Sequence, residues 1–201
     1  MKLYTNPASP FCRKVEVVLL ETGLEGHVST AEVGGHPTDS GTIPLDANPV
    51  SKIPVLLRED GPALYDSRVI CRYLDSLAES GLYPESRLWE VLTLEATGDG
   101  ICDAAVLMVY ESRARPEDAR HAPWVEGQWA KVTRSLDALE ARWLSHLKGP
   151  LNMGQIAVGC ALGYLDFRHS DRDWRSERPA LAAWFAEFSD RPSMARTKPG
   201  G

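Results

Sequence analysis

The chain has 201 residues, 43% hydrophobic and 25% charged, with a net charge of −6. That composition is ordinary for a folded protein and long enough for one large domain or two small ones. Residues 1–83 carry 7 basic and 11 acidic side chains and residues 84–201 carry 15 and 17, so neither half offers the clustered cationic surface that nucleic-acid phosphates need. The longest charge-free run, Gly149–Leu165, is 17 residues and includes Asn152 and Gln155; a membrane span needs about 20 apolar residues. Met1–Pro7 has no apolar secretory stretch, and the four cysteines lie far apart without metal-ligand spacing. These features predict a cytoplasmic protein with reduced thiols, no metal, and no nucleic-acid or membrane partner.

In chain order, Lys2–Thr5 reads as a short strand ended by Asn6-Pro7. Pro10 opens a helix with Phe11, Val15, Val18 and Leu19 on one face, and Gly23 stops it. His27–Val33 alternates as a strand, and residues 34–49 read as loop. Lys52–Leu57 is a strand beginning at Pro54, residues 58–62 form a turn, and Ala63-Leu64-Tyr65 is the returning strand. Asp66-Ser67 caps a helix carrying Val69, Ile70, Tyr73, Leu74 and Leu77. The order βαβ-ββα gives a mixed sheet with helices packed on it.

After Pro84 only helical patterns remain. Ser86–Ser112 reads as one long helix containing Gly98 and Gly100, for which close helix approach is the preferred account and subunit contact the second. A second helix runs from Pro123, with Val125, Trp129, Val132, Leu136, Leu139 and Trp143 as its seam. Asn152 with Gln155 forms a capping box opening a helix that is apolar nearly all round, hence central. A last helix from Pro179 buries Leu181, Trp184, Phe185 and Phe188. Trp129, Trp143 and Trp184 are assigned to packing, and Arg168, Arg172, Arg175 and Arg178 to a solvated face.

Three features carry chemistry. Ser9-Pro10-Phe11-Cys12 stands where strand one meets helix one, a helix N-terminus that favours an anion and a thiolate in particular. Ser9 occupies the place of the first cysteine of a C-x-x-C turn, so its role is to donate a hydrogen bond to a thiolate brought by another molecule; as a plain N-cap it would do no chemistry. Ile53-Pro54 places a proline at the start of a strand, and if cis it offers the Ile53 backbone edge to an extended peptide. Asp66-Ser67 begins another helix whose N–H groups and Ser67 hydroxyl suit a carboxylate.

In this order the three resemble the glutathione transferase family over nearly the whole chain. Ser9-Pro10-Phe11 is similar to the catalytic segment of the serine-type enzymes, Asn48-Pro49 through Lys52-Ile53-Pro54-Val55 to the Asn-Pro…Val-Pro segment, and Asp66-Ser67 to the acidic-Ser helix start. Asn152-x-x-Gln155 stands where the family has its capping box, and Arg191-Pro192-Ser193 matches a C-terminal motif. Ser-Pro-Phe-x-Arg-Lys and Asp99-Gly100-Ile101-x-Asp103 resemble an uncharacterised bacterial subgroup.

The resemblance implies a thioredoxin-like glutathione-binding domain (1–79), a linker (80–86) and an all-helical domain (87–201), usually in a homodimer whose contact the long helix largely supplies. Ser9 would hydrogen-bond the glutathione sulfur, Ile53 would pair with the cysteinyl unit beside a cis Pro54, Asp66 and Ser67 would hold the γ-glutamyl end, Lys52 would reach the glycyl carboxylate, and Phe11 would wall the pocket near the sulfur. The electrophile pocket would be lined by Asp103, Val106, Leu107 and Tyr110. A free thiol titrates near 8.5, and a Ser9 hydrogen bond with the helix dipole would lower that by about one to two. The thiolate would then attack a small, hydrophobic electrophile or a peroxide, glutathione being the co-substrate. Two alternatives remain: a thiol-disulfide oxidoreductase using Cys12, and a non-catalytic binding or regulatory protein on the same scaffold.

Overall fold

The structure, a computed structural model, describes residues 1–200. Strand β1 (Lys2–Thr5) is the middle of a three-stranded sheet of order β2-β1-β3. Strand β2 (Ser29–Glu32) runs parallel to it, with Lys2 opposite Ser29. Strand β3 (Val55–Leu57) runs antiparallel, with Tyr4 opposite Val55. A parallel pair needs a crossover, and helix α1 (Pro10–Glu21) provides it, burying Val15, Val17, Val18 and Leu19. The stop is as expected: Gly23 takes φ +69°, the left-handed conformation a glycine tolerates best.

The returning strand expected at 63–65 shrinks to one pairing. Leu56 and Leu64 exchange N–H···O bonds of 3.0 and 2.9 Å, and no strand extends from them because Pro62 has no N–H to give and Asp66 already caps the next helix. That helix, α2 (Ser67–Ala78), buries Ile70, Cys71 and Leu74.

Chain 79–87 leads into α3 (Leu88–Ala114). A further helix follows from Ala122 to Leu147: α4 (Ala122–Ala138), a π-helical turn at Leu139–Trp143, and α5 (Leu144–Leu147). Val132, Leu136 and Leu139 of the expected seam are buried, while Trp129 and Trp143 are partly buried against the core. Helix α6 (Met153–Arg168) is central, with Met153 through Leu162 all buried. Its capping box is present: the Asn152 side chain accepts from Gly154 and Gln155 N–H, and Gln155 Oε1 accepts from Asn152 N–H at 2.7 Å. Helices α7 (Pro179–Ser189) and α8 (Pro192–Arg196) close the chain.

The two glycines of α3 differ. A Cβ on Gly98 would stand 2.7 Å from the Ala157 carbonyl carbon of α6, so close approach accounts for it. Gly100 faces open space, and helix approach does not explain it. The Arg191-Pro192-Ser193 motif also has a local account. Arg191 and Ser193 both hydrogen-bond Glu21, and Arg13 Nη2 donates to Met194 C=O at 3.0 Å, so α8 is fastened to α1.

Candidate active site

The β1–α1 turn is built by Asn6. Its Oδ1 accepts from Ala8 N–H (3.0 Å), its Nδ2 donates to Val33 C=O (2.9 Å), and its carbonyl accepts from Ser9 N–H (3.0 Å). Ser9 is thereby held as N-cap of α1, its Oγ accepting the Cys12 N–H at 3.3 Å. The cap uses a lone pair and leaves the hydroxyl proton uncommitted among the described residues, so capping and donation to a ligand are compatible. Cys12, one turn into α1, is completely buried. Burial pushes its thiol up to about 11, outweighing the lowering influence of the nearby Ser9 and Thr5 side chains, and a protonated, inaccessible thiol is a poor nucleophile.

Strand register brings the other features to Ser9. Since Tyr4 lies opposite Val55, the chain entering β3 runs beside the chain leaving β1. Ile53–Pro54 is cis, and the Ile53 N–H and C=O bond to no described residue. Buried Asn48 fixes this stretch, its Nδ2 donating to Lys52 C=O at 2.8 Å, and the Lys52 side chain is exposed. Leu64 pairs with Leu56, so the residues after it run back along 53–55 and bring Asp66 and Ser67 to the same end of the sheet. Asp66 caps α2, its Oδ1 accepting from Arg68 N–H (3.0 Å) and its Oδ2 from Arg68 Nη2 (3.1 Å). Burial opposes the charge on Asp66, but the Arg68 contacts outweigh it and hold the carboxyl below its ordinary value.

A buried charge cluster braces this end, and the sequence reading missed it. Lys14 Nζ donates to Glu95 Oε1 (3.2 Å) and to both Asp99 oxygens (2.7 and 2.9 Å). Tyr83 donates its hydroxyl to Glu95 (3.1 Å), and Arg68 Nε lies 3.6 Å from Asp99. The available signal was the four-residue spacing of Glu95, Asp99 and Asp103, which puts three carboxylates on one face of α3.

The expected electrophile pocket divides along that helix. Asp103 is exposed and neighbours Lys52, Arg68, Asp99 and Asp66; burial and Asp99 raise its pKa while the two cations oppose. Its surroundings are thus charged, while Tyr110 lies seven residues on, about 10 Å along the helix. Phe11, Val106 and Tyr110 are partly buried, and Leu107 is 41% exposed.

Residues 8–77 match the model of the glutathione S-transferase N-terminal domain, and residues 122–187 that of the C-terminal domain. The chain belongs to the glutathione S-transferase family. It is 34% identical to the uncharacterised glutathione S-transferase-like protein YibF of Escherichia coli, over 99% of this chain and 98% of that one. A glutathione transferase family member from Pseudomonas fluorescens, solved with glutathione bound, is 44% identical with a TM-score of 0.96, covering 100% of this chain and 99% of that one. A second structure of a P. fluorescens family member, with S-(propanoic acid)-glutathione bound, gives 44% identity and a TM-score of 0.91 over 99% of both chains. The thioredoxin-like sheet domain and helical domain of glutathione transferases are thus the architecture of this chain. No described helix is long and apolar enough to cross a membrane.

Proposed function

We propose that this transferase binds glutathione between the β1–α1 turn, the Ile53 edge and the N-terminus of α2, and uses Ser9 to stabilise the thiolate for transfer to a small electrophile. The observation that carries the reading is the Ser9 hydroxyl: it accepts from Cys12 N–H, keeps its own proton for a ligand, and sits at the positive end of α1. Ile53 would receive the cysteinyl backbone, Asp66 and Ser67 the γ-glutamyl end, and Lys52 the glycyl carboxylate, with Phe11 beside the sulfur. The relatives solved with glutathione and with a glutathione conjugate support a bound tripeptide in this chain too.

Activation and proximity would supply the rate. Residues 1–79 would hold glutathione, and 87–201, across an 80–86 linker, would supply the electrophile side; residue 201 lies outside the described residues. The buried, protonated Cys12 argues against a mixed-disulfide mechanism. We further assign the protein to the cytoplasm as a homodimer joined largely through α3, whose first turn carries Trp89 at 76% exposure.

The test is the ultraviolet absorbance of bound glutathione thiolate, titrated against pH in wild type and Ser9→Ala. A thiolate titrating well below 8.5 in wild type and moving upward in the variant is expected. Absence of a saturable thiolate signal, or an unchanged titration in Ser9→Ala, would overturn the mechanism.

A further inference from the structure

Two non-glycine residues among those described take a left-handed backbone. Glu79, at φ +49°, stands at the C-cap of α2, where that conformation is common. Ser51, at φ +55°, ends a turn in which its N–H donates to Asn48 C=O at 3.0 Å. The Lys52–Ile53 peptide that follows is trans and planar, so its two polar groups point opposite ways. Asn48 Nδ2 occupies the Lys52 C=O, which turns the Ile53 N–H away from the turn. The Ser51 dihedrals set the direction in which that peptide leaves.

A left-handed residue that carries a Cβ persists only where its surroundings hold it. Ser51 is held by its own side chain: the hydroxyl donates to Ser40 Oγ at 2.7 Å, and both residues are half-buried. Among the described residues this is the one hydrogen bond between segments 34–43 and 48–55.

The 34–43 segment is closed on itself and can serve as an anchor. Gly34 N–H donates to Thr42 Oγ1 (3.0 Å) and Thr42 N–H to Gly34 C=O (2.9 Å), while His36 and Asp39 exchange backbone bonds of 2.8 and 3.0 Å. Ser40 C=O accepts from Ile43 N–H at 3.0 Å, and the Ile43 side chain is buried. Gly35 packs so near that an added Cβ would stand 2.6 Å from the Ser40 carbonyl oxygen. At the root of the segment, Val33 N–H donates to Thr5 C=O (3.0 Å) and Val33 C=O accepts from Asn6, the residue that shapes the Ser9 turn. The segment is thus fastened at its root to the Ser9 turn and, through Ser40, to the residue that precedes Lys52-Ile53.

We infer that Ser40 is a positioning residue for glutathione: by holding Ser51 left-handed it presets the Ile53 backbone edge for the cysteinyl unit before the tripeptide arrives. This rests on the glutathione reading above and adds to it the residue that prepares its peptide edge. A segment ordered in the free protein lowers the entropy lost on binding. Ser40 bonds neither Ser9 nor the residues that hold the Ser9 turn, so its effect falls on affinity and leaves thiolate stabilisation alone.

Calorimetry with glutathione, together with the pH titration of bound thiolate at saturating glutathione, tests this on wild type, Ser40→Ala, Ser51→Gly and the double variant. Ser40→Ala should weaken glutathione binding about three- to tenfold, the worth of one neutral hydrogen bond, with the thiolate titration unchanged. In the Ser51→Gly background the same substitution should change affinity by less than about twofold, because no hydroxyl remains to tether and glycine adopts the left-handed conformation unaided. A loss below about twofold in Ser40→Ala alone, a full loss that persists in the Ser51→Gly background, or a thiolate titration that shifts together with affinity overturns the inference and leaves the glutathione reading intact. Failure of wild type to bind glutathione overturns both.

Discussion

Lys14 Nζ lies 2.7 Å from Asp99 Oδ1, with both side chains buried, and this contact joins α1, which Ser9 caps, to α3. Burial opposes the lysine charge, but Asp99 and Glu95 reverse the balance and hold it protonated. Removing one member strands the others: Lys14→Met should cost about 3–5 kcal/mol, because Glu95 loses its cationic partner and buried Asp99 keeps only Arg68, at 3.6 Å. Replacing all three with apolar residues of similar size should recover most of that loss, as urea unfolding of both variants would establish.

A pair of variants separates the cap that Ser9 makes from the thiolate role proposed for it. Ser9→Ala removes both cap and hydroxyl, and should cost about 1 kcal/mol of stability; Ser9→Gly removes the hydroxyl but costs only a few tenths. Both should lose about ten- to a hundredfold in turnover with a standard electrophile, the worth of a hydrogen bond to a charged group. Turnover that followed stability, falling in the alanine variant and persisting in the glycine one, would reduce Ser9 to a cap.

Alanine at the two glycines of α3 should have opposite effects. At Gly98 the added carbon would stand 2.7 Å from Ala157 backbone, so helices α3 and α6 must part and stability should fall by at least about 2 kcal/mol, in the range of overpacked cores. At Gly100 it meets nothing, and the gain in helix propensity should raise stability by about 0.5–1 kcal/mol. Thermal melting of the two variants checks the sign.

His169 supplies an acid limit to stability. It is buried, its Nε2 lies 3.0 Å from Ala105 C=O, and burial lowers its pKa below the ordinary 6.5 although the Ala105 contact opposes. As pH falls through 6.5 the unfolded chain takes up the proton before the folded one. The contribution is therefore complete above 6.5 and is lost below it, by at most about 1.4 kcal/mol per pH unit. Urea midpoints at pH 5 and 7.5 should differ less in His169→Gln than in wild type.

Much of this was legible because it depends on local pattern. The Pro10 start, the Gly23 stop and the Asn152–Gln155 box each sit within a few residues of the backbone groups they satisfy. The expected strand at 63–65 failed for a reason of context: pairing needs a partner length, and Pro62 with the Asp66 cap leaves one bridge. The candidate residues Ser9, Ile53, Asp66 and Ser67 could be named from turn and cap chemistry, whereas their meeting at one end of the sheet depends on register, which the pairings of Tyr4 with Val55 and of Leu56 with Leu64 decide.

The sequence by itself determined the elements, the family resemblance and the side chains able to handle a thiolate and a carboxylate, since these follow from short-range spacing. Only the tertiary structure decided which charges have partners. Lys14, within the Ser-Pro-Phe-x-Arg-Lys run, gains its carboxylates only when α3 closes over it, and Cys12 reads as half of a redox motif until burial protonates it. Pairing and desolvation are properties of contacts distant in sequence, and no window of residues contains them.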